Sequence, residues 1–182
     1  MRFALILGSI GSNSYNRKLA TFIQKRYQDQ MDIEILSLED VPMFNVDIEH
    51  NPPEIIKDYR EKIVQSDGVI IATPEYNHSI PGVLKNALDW FSRVKRVMRN
   101  KPIMIVGASN GVLGTVRAQT HLRQILNSGG VSAITLPGNE VFIGNAGEKF
   151  DEDGNLIHQP TIEFLDGVVQ NYIGWVKKIN NA

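Results

Sequence analysis

The chain has 182 residues, 42% hydrophobic and 21% charged, with 15 Gly, 8 Pro and no Cys. A chain of that length buries roughly 70% of its unfolded surface and folds without disulfide or structural metal; lacking cysteine, it has no thiolate zinc site, Fe–S cluster, thiol nucleophile or CxxC motif, so any redox work falls to a bound cofactor. The 19 Lys and Arg balance 20 Asp and Glu to a formal charge of −1, which leaves no global field to draw nucleic acid or anionic lipid.

The first apolar run, Phe3–Leu7, is ended by Gly8 and Ser9. It is too short for a secretory segment or a membrane span, so a soluble, cytoplasmic protein is expected. Leu19, Phe22, Ile23 and Tyr27 follow at helical spacing. Ile33–Leu38 is the second strand, and Ile55, Ile56, Tyr59 and Ile63 mark the second helix. Val69–Thr73 is the third strand; Pro81 suits the first position of a third helix that carries Leu84, Ala87, Leu88 and Phe91. Ile103–Ala108 is the fourth strand. Ala118, Leu122, Ile125 and Leu126 form the fourth helix, stopped by Gly129-Gly130. Ala133–Leu136 is the last strand, and a region from Asn139 to Pro160 reads as an exposed excursion able to reach a neighbouring subunit. Ile162, Leu165, Val169, Tyr172, Ile173 and Val176 make the final helix.

Several of these strands are unbroken aliphatic runs, the pattern of a sheet covered on both faces. Strand and helix alternate throughout, which predicts an α/β protein: a flavodoxin-like three-layer sandwich with a five-stranded parallel sheet, order 2-1-3-4-5, and helices on both faces. Residues 1–182 read as a single domain. In that order the loops after strands 1, 3 and 4 are neighbours at the carboxyl edge, where ligand chemistry belongs.

The first of these loops, Gly8 to Asn16, holds Ser9, Ser12, Ser14, Asn13 and Asn16 and no charge. It matches neither GxGxxG nor GxxxxGK[ST]. Hydroxyls, amides and N–H groups at a helix N-terminus suit a phosphate monoester; plain helix capping by Ser12 or Ser14 suits the same composition. The second loop, Thr73 to Gly82, is fixed by Pro74 and Pro81. It offers Tyr76 and rigid N–H groups to a planar heteroaromatic, or it is simply a strand-to-helix connection. Glu75 has no second acid or paired base beside it, and His78 reads as a loop hydrogen-bonder. The third loop, Gly107 to Thr115, has glycines that permit close backbone approach to a ring. Arg117 follows it, either reaching a phosphate or partner, or solvated on the fourth helix.

Gly8-Ser9, Ser14, Asn16 and Leu19-Ala20, then Thr73-Pro74-Glu75-Tyr76-Asn77-His78-Ser79-Ile80-Pro81-Gly82 through Trp90, then Gly107-Ala108-Ser109, Gly111 and Gly114, together resemble the NADPH-dependent FMN reductase family over about the first 140 residues. The resemblance implies a flavin carrier of hydride: FMN as cofactor, NADPH or NADH as co-substrate, and a small-molecule electron acceptor such as flavin, quinone, azo compound or metal oxyanion. It implies a homodimer or homotetramer and ping-pong turnover, with no catalytic side chain because the flavin carries the chemistry. It places Ser9, Ser14, Tyr15 and Asn16 at the FMN phosphate end, Pro74, Glu75, Tyr76 and Asn77 along the isoalloxazine, and Ser109 and Gly111 at the ring pocket. Family members often carry Arg two residues after the first Ser; Gly11 stands there in this chain. The alternatives are a flavodoxin-like electron carrier, which the near-neutral charge disfavours, and a flavin-binding module without turnover.

The basic run Arg93, Lys95, Arg96, Arg99 and Lys101 is expected to complement the dipole of the third helix, with contact to an NADPH 2′-phosphate as the sharper reading. Trp90 and Phe91 read as core. His50, His78, His121 and His158 have no metal-ligand spacing, and Asp151 to Asn155 has its Gly too early for a calcium loop, so no metal site is expected.

Overall fold

The computed structural model describes residues 1–181. Strands and helices alternate as β1 (Arg2–Leu7), α1 (Tyr15–Arg26), β2 (Asp32–Ser37), α2 (Glu54–Gln65), β3 (Gly68–Ala72), α3 (Gly82–Ser92), β4 (Pro102–Ala108), α4 (Val116–Leu126), β5 (Ile134–Thr135), β6 (Val141–Ile143) and α5 (Gln159–Asn180). The sheet is parallel with order β2-β1-β3-β4-β5. Every residue of β3 and β4 is buried, which is why both read as aliphatic runs without polar alternation.

Successive side chains on a strand point to opposite faces, and the core divides accordingly. Phe3, Leu5 and Leu7 pack with Leu19 and Ile23 of α1 and Leu165 and Val169 of α5. Ala4 and Ile6 pack with Ile56 and Ile63 of α2, Leu84 and Leu88 of α3, and Leu122 of α4. Each fully buried Leu or Ile contributes about 1.5–3 kcal/mol of transfer free energy, so both helical layers are held by their stripes rather than by surface pairs.

Two polar contacts fasten α5. The buried Tyr172 hydroxyl lies 2.9 Å from the Val69 carbonyl and 3.0 Å from that of Pro102, and burial pushes its pKa well above the ordinary phenol value. Asp166 accepts two bonds from Arg26, both 2.7 Å, and one of 2.8 Å from the Tyr27 hydroxyl, tying α5 to α1. These hydrogen bonds, Arg26 first, hold the Asp166 carboxyl below its usual range. A depressed folded pKa gives stability that is complete above the unfolded value of about 3.9 and is lost as pH falls through the folded one. Asp166→Asn is therefore expected to melt below the unsubstituted chain at neutral pH, with the gap closing as pH drops below about 4. A gap that stays constant in melts across that range counts against this pair.

The structure departs from the sequence expectations at three places along the second half of the chain. The fifth sheet position is divided: β5 lies beside Pro102 and Ile103, and β6 beside Val106 to Ala108. Pro137 lacks an N–H, and Gly138 and Asn139 are left-handed (φ 60° and 50°), so the chain leaves the ladder between them. The Asn139–Pro160 region is not simply exposed, because Val141, Ile143, Ala146, Phe150 and Leu156 are buried in it; its Asp151–Asn155 turn does sit at the surface, closed by Gly154. Helix α4 ends at Leu126, before the glycine pair, with Asn127 as its cap.

The basic run also acts elsewhere than on α3. Arg93 grips Glu49 at 2.6 and 3.2 Å and holds that carboxyl below its usual range. Arg96 donates to the carbonyls of Gly129 and Gly130 beyond α4, and Lys101 to those of Val64 and Ser66 at the end of α2. Left-handed Val94, Arg96 and Asn100 swing the chain away from the α3 axis. Lys101 directly precedes β4, so these contacts lie at the amino edge of the sheet, opposite the three loops.

Candidate functional site

Leu7 pairs with Ala72, and Ala72 with Val106. Three strands thus end side by side, and their loops meet over the carboxyl edge. Ser14 caps α1, its hydroxyl accepting from the Asn16 N–H at 3.2 Å. The backbone N–H groups of Gly11, Ser12 and Asn13 have no hydrogen-bond partner among the described residues. Ser9 is only 2% exposed, yet its hydroxyl is bonded to no other described residue and lines the cavity there.

Asn16 is buried at the floor of this loop. Its amide donates to the Ala108 carbonyl at 2.9 Å and accepts from the Ala108 N–H at 3.0 Å. The side chain pairs with the last residue of β4 as a neighbouring strand would. The family resemblance implies a place for this amide at a phosphate; the structure engages it with main chain, as a brace between the first and third loops.

Between Pro74 and Pro81 lies a small hairpin. Tyr76 and Ser79 exchange N–H···O bonds of 2.9 and 3.0 Å around left-handed Asn77 and His78 (φ 50° and 62°), the tight turn favoured between antiparallel segments. The Glu75 carboxylate accepts from the Arg117 and Ala118 N–H groups at 2.9 and 3.1 Å. Helix α4 has no side-chain cap of its own, so Glu75 supplies one from the second loop. Arg117 stands 3.9 Å from the same carboxylate. The histidine that bonds this loop is His121, 2.7 Å from the Ser79 hydroxyl, and not His78.

In the third loop the Ser109 hydroxyl donates to the Gly114 carbonyl and accepts from the Gly111 N–H, at 2.9 and 3.1 Å. Beneath it, Gly107 lies against Thr115 and Thr73 so closely that a Cβ would stand 2.0 Å from the Thr115 hydroxyl. Residues outside the three loops brace this one from the far side: Ala146 donates to the Ser109 carbonyl, and Gly147 to the Asn110 side chain.

Ser9, Ser14, Tyr15, Asn16, Pro74, Glu75, Tyr76 and Ser109 all line one cavity of about 440 Å³. Asn77 and Gly111 line an adjoining cavity of about 470 Å³ that shares Glu75 and Ser109 with it. Tyr76, Val112 and Leu113 are exposed at the joint mouth. Glu75 is the one carboxylate in the first wall, and it is turned to α4. Free hydroxyl, free N–H groups and no facing acid at a helix N-terminus fit a phosphate monoester, and the wider apolar mouth fits a flat ring. Arg17, beside this loop, reaches back to the Gly11 carbonyl, a contact that nothing in helical spacing signals. No group of three metal-ligating side chains occurs among the described residues.

The family described as NADPH-dependent FMN reductase matches residues 1–148. The chain belongs to this family. The chain is similar to the NADH-dependent flavin reductase subunit 2 of Lactobacillus johnsonii, 42% identical over 98% of both chains. The NADH:(hydroxy)cinnamate reductase subunit CrdA of Vibrio ruber is 39% identical over 98% of this chain and 89% of its own. The solved structure of FerB, a flavoenzyme NAD(P)H:(acceptor) oxidoreductase from Paracoccus denitrificans, superposes with a TM-score of 0.88 at 32% identity, covering 97% of each chain. The chain is thus an oxidoreductase of the NAD(P)H-dependent flavin and quinone reductase class, and the two cavities are of a chemistry that suits FMN with a nicotinamide donor.

Proposed function

We propose that the chain binds FMN across the three loops and reduces a small acceptor, a flavin or quinone, at the expense of NADH or NADPH. The observation that carries this is the unpartnered Ser9 hydroxyl beside free N–H groups at the head of α1, within one cavity with Tyr76 and Ser109. When bound, FMN would supply two-electron redox chemistry between the nicotinamide and the acceptor, with both meeting one face in ping-pong turnover. Ser9 and the Gly11–Asn13 N–H groups receive the phosphate, while Ser14 and Asn16 hold the first turn of α1 and the loop in place. Pro74, Glu75, Tyr76 and Asn77 line the isoalloxazine, with Ser109 and Gly111 closing the ring pocket and Tyr15 the phosphate side. No side chain acts as acid, base or nucleophile; the loops position rings and exclude water. We extend the proposal to one domain over 1–182, assembled as a cytoplasmic homodimer or homotetramer.

Flavin-free protein should bind FMN and, once loaded, lose its visible absorbance when NADH or NADPH is added without oxygen; reoxidation by a quinone panel then ranks acceptors. Failure to bind FMN overturns the proposal. A second reading rests on the two relatives named as subunits: electrons leave to a companion protein rather than to a free small molecule. Rapid bleaching by nicotinamide with negligible turnover on every small acceptor favours that reading.

A further inference from the structure

The loop from Gly8 to Asn16 brings no charged side chain to the cavity, yet the first turn of α1 carries Arg17 and Lys18 and no acid. Cations there repel the positive end of the helix dipole unless an anion lies at the same end. Lys18 does not line the cavity; its stem lies against Gly154 and its ammonium 5.3 Å from the centre of the Tyr15 ring. Arg17 reaches back to the loop: its Nε lies 3.4 Å from the Gly11 carbonyl and its Nη2 3.9 Å from the Glu39 carboxylate. Both contacts are at the outer limit of range, and the Glu39 side chain is 63% exposed, so water screens the pair. A guanidinium carries five N–H donors in a fork that matches phosphate oxygens, and most of these have no hydrogen-bond partner among the described residues. Gly11, which it touches, lines the same cavity as Ser9, a residue only 2% exposed whose hydroxyl has no hydrogen-bond partner among the described residues.

We propose that Arg17 is the residue that neutralises the flavin phosphate in this chain, exchanging its long contact with Glu39 for the phosphate monoester. The inference rests on the FMN reading above and adds what that reading lacks: a cation, delivered from α1 rather than from the loop. It makes Arg17 the residue that separates FMN from riboflavin, which has the same ring and no phosphate.

The test is titration of flavin-free protein with FMN and with riboflavin, read by quenching of flavin fluorescence. Arg17→Gln is expected to weaken FMN binding by about 10- to 100-fold, the worth of one charge-assisted contact, and riboflavin by less than about twofold. Arg17→Lys, which keeps the charge and loses the fork, should fall between the two on FMN. FMN affinity unchanged in Arg17→Gln overturns the proposal. So does an equal loss for both flavins, which would make Arg17 a shaper of the loop. Unsubstituted protein that binds neither flavin sinks the function reading and this inference with it, whereas tight FMN binding indifferent to Arg17 leaves the function reading standing alone.

Discussion

Gly107→Ala is expected to lower stability by about 3 kcal/mol or more, a large share of the roughly 5–15 kcal/mol that holds a domain together. An alanine Cβ would stand 2.0 Å from the Thr115 hydroxyl and 2.5 Å from the Thr73 carbonyl. Neither neighbour is free to give way. The Thr73 carbonyl is main chain at the end of β3, whose N–H is bonded to the Val106 carbonyl. Thr115 is fully buried, and its hydroxyl accepts from the Gln119 amide at 2.9 Å, which also donates to the Val141 carbonyl at 2.8 Å. Relief therefore means moving α4 away from β4, and with it the N–H groups that Glu75 caps. Chemical denaturation reads the effect as a lowered midpoint. Gly82→Ala serves as the contrast, since nothing lies within 4 Å of its added Cβ at the start of α3; it should leave the midpoint level or raise it. Equal midpoints for the two variants would show that the approach at Gly107 is not close.

The second large effect is expected at Asn16. Asn16→Ala strips partners from both the N–H and the C=O of Ala108 in a buried place, at about 1–3 kcal/mol for each group left unsatisfied. The first loop then loses its anchor to β4, and FMN affinity falls by about 10- to 100-fold, equivalent to roughly 1–3 kcal/mol of binding. A brace and a phosphate ligand differ in what they do to riboflavin. Loosening the loop weakens both flavins, so Asn16→Ala should weaken riboflavin binding as well, unlike Arg17→Gln. Full riboflavin affinity in Asn16→Ala, with FMN affinity lost, would return Asn16 to the role of phosphate ligand; unchanged binding of both would remove it from the site.

The contrast between these residues shows how far sequence reaches. Burial on both faces leaves a local trace, so β1, β3 and β4 are visible as aliphatic runs, and the sheet order follows from alternation and handedness. Ser9, Tyr76 and Ser109 come together because their loops follow strands that the order makes neighbours. Side-chain partners leave no such trace. Asn16 meets Ala108 across 92 positions and Glu75 meets Arg117 across 42; composition shows an amide and a carboxylate near a site and not what each one faces. The basic run near α3 misleads for the same reason, since proximity along the chain assigns it to α3 while space assigns Arg93 to Glu49, Arg96 to the end of α4 and Lys101 to the end of α2. Strand β6 is hidden because Val141–Ile143 is three residues within a polar stretch, and only the unpaired flank of Val106 to Ala108 makes it a strand.

The divided fifth position also bears on how the molecule behaves at high concentration. An uninterrupted outer strand offers a row of N–H and C=O groups on which a second molecule can add a strand, and then a third. Here the row is broken at Pro137 and Gly138, and the Leu136 carbonyl on the near side of the break is taken by Arg123 at 3.2 Å. At the opposite edge, Glu34 of β2 is held by Lys62 at 2.7 Å beside exposed Asp32, so an incoming strand there meets fixed charge. A sheet this apolar inside is thereby protected at both margins against stacking into fibres, which leaves side-chain surfaces rather than sheet edges as the exterior it offers to other molecules.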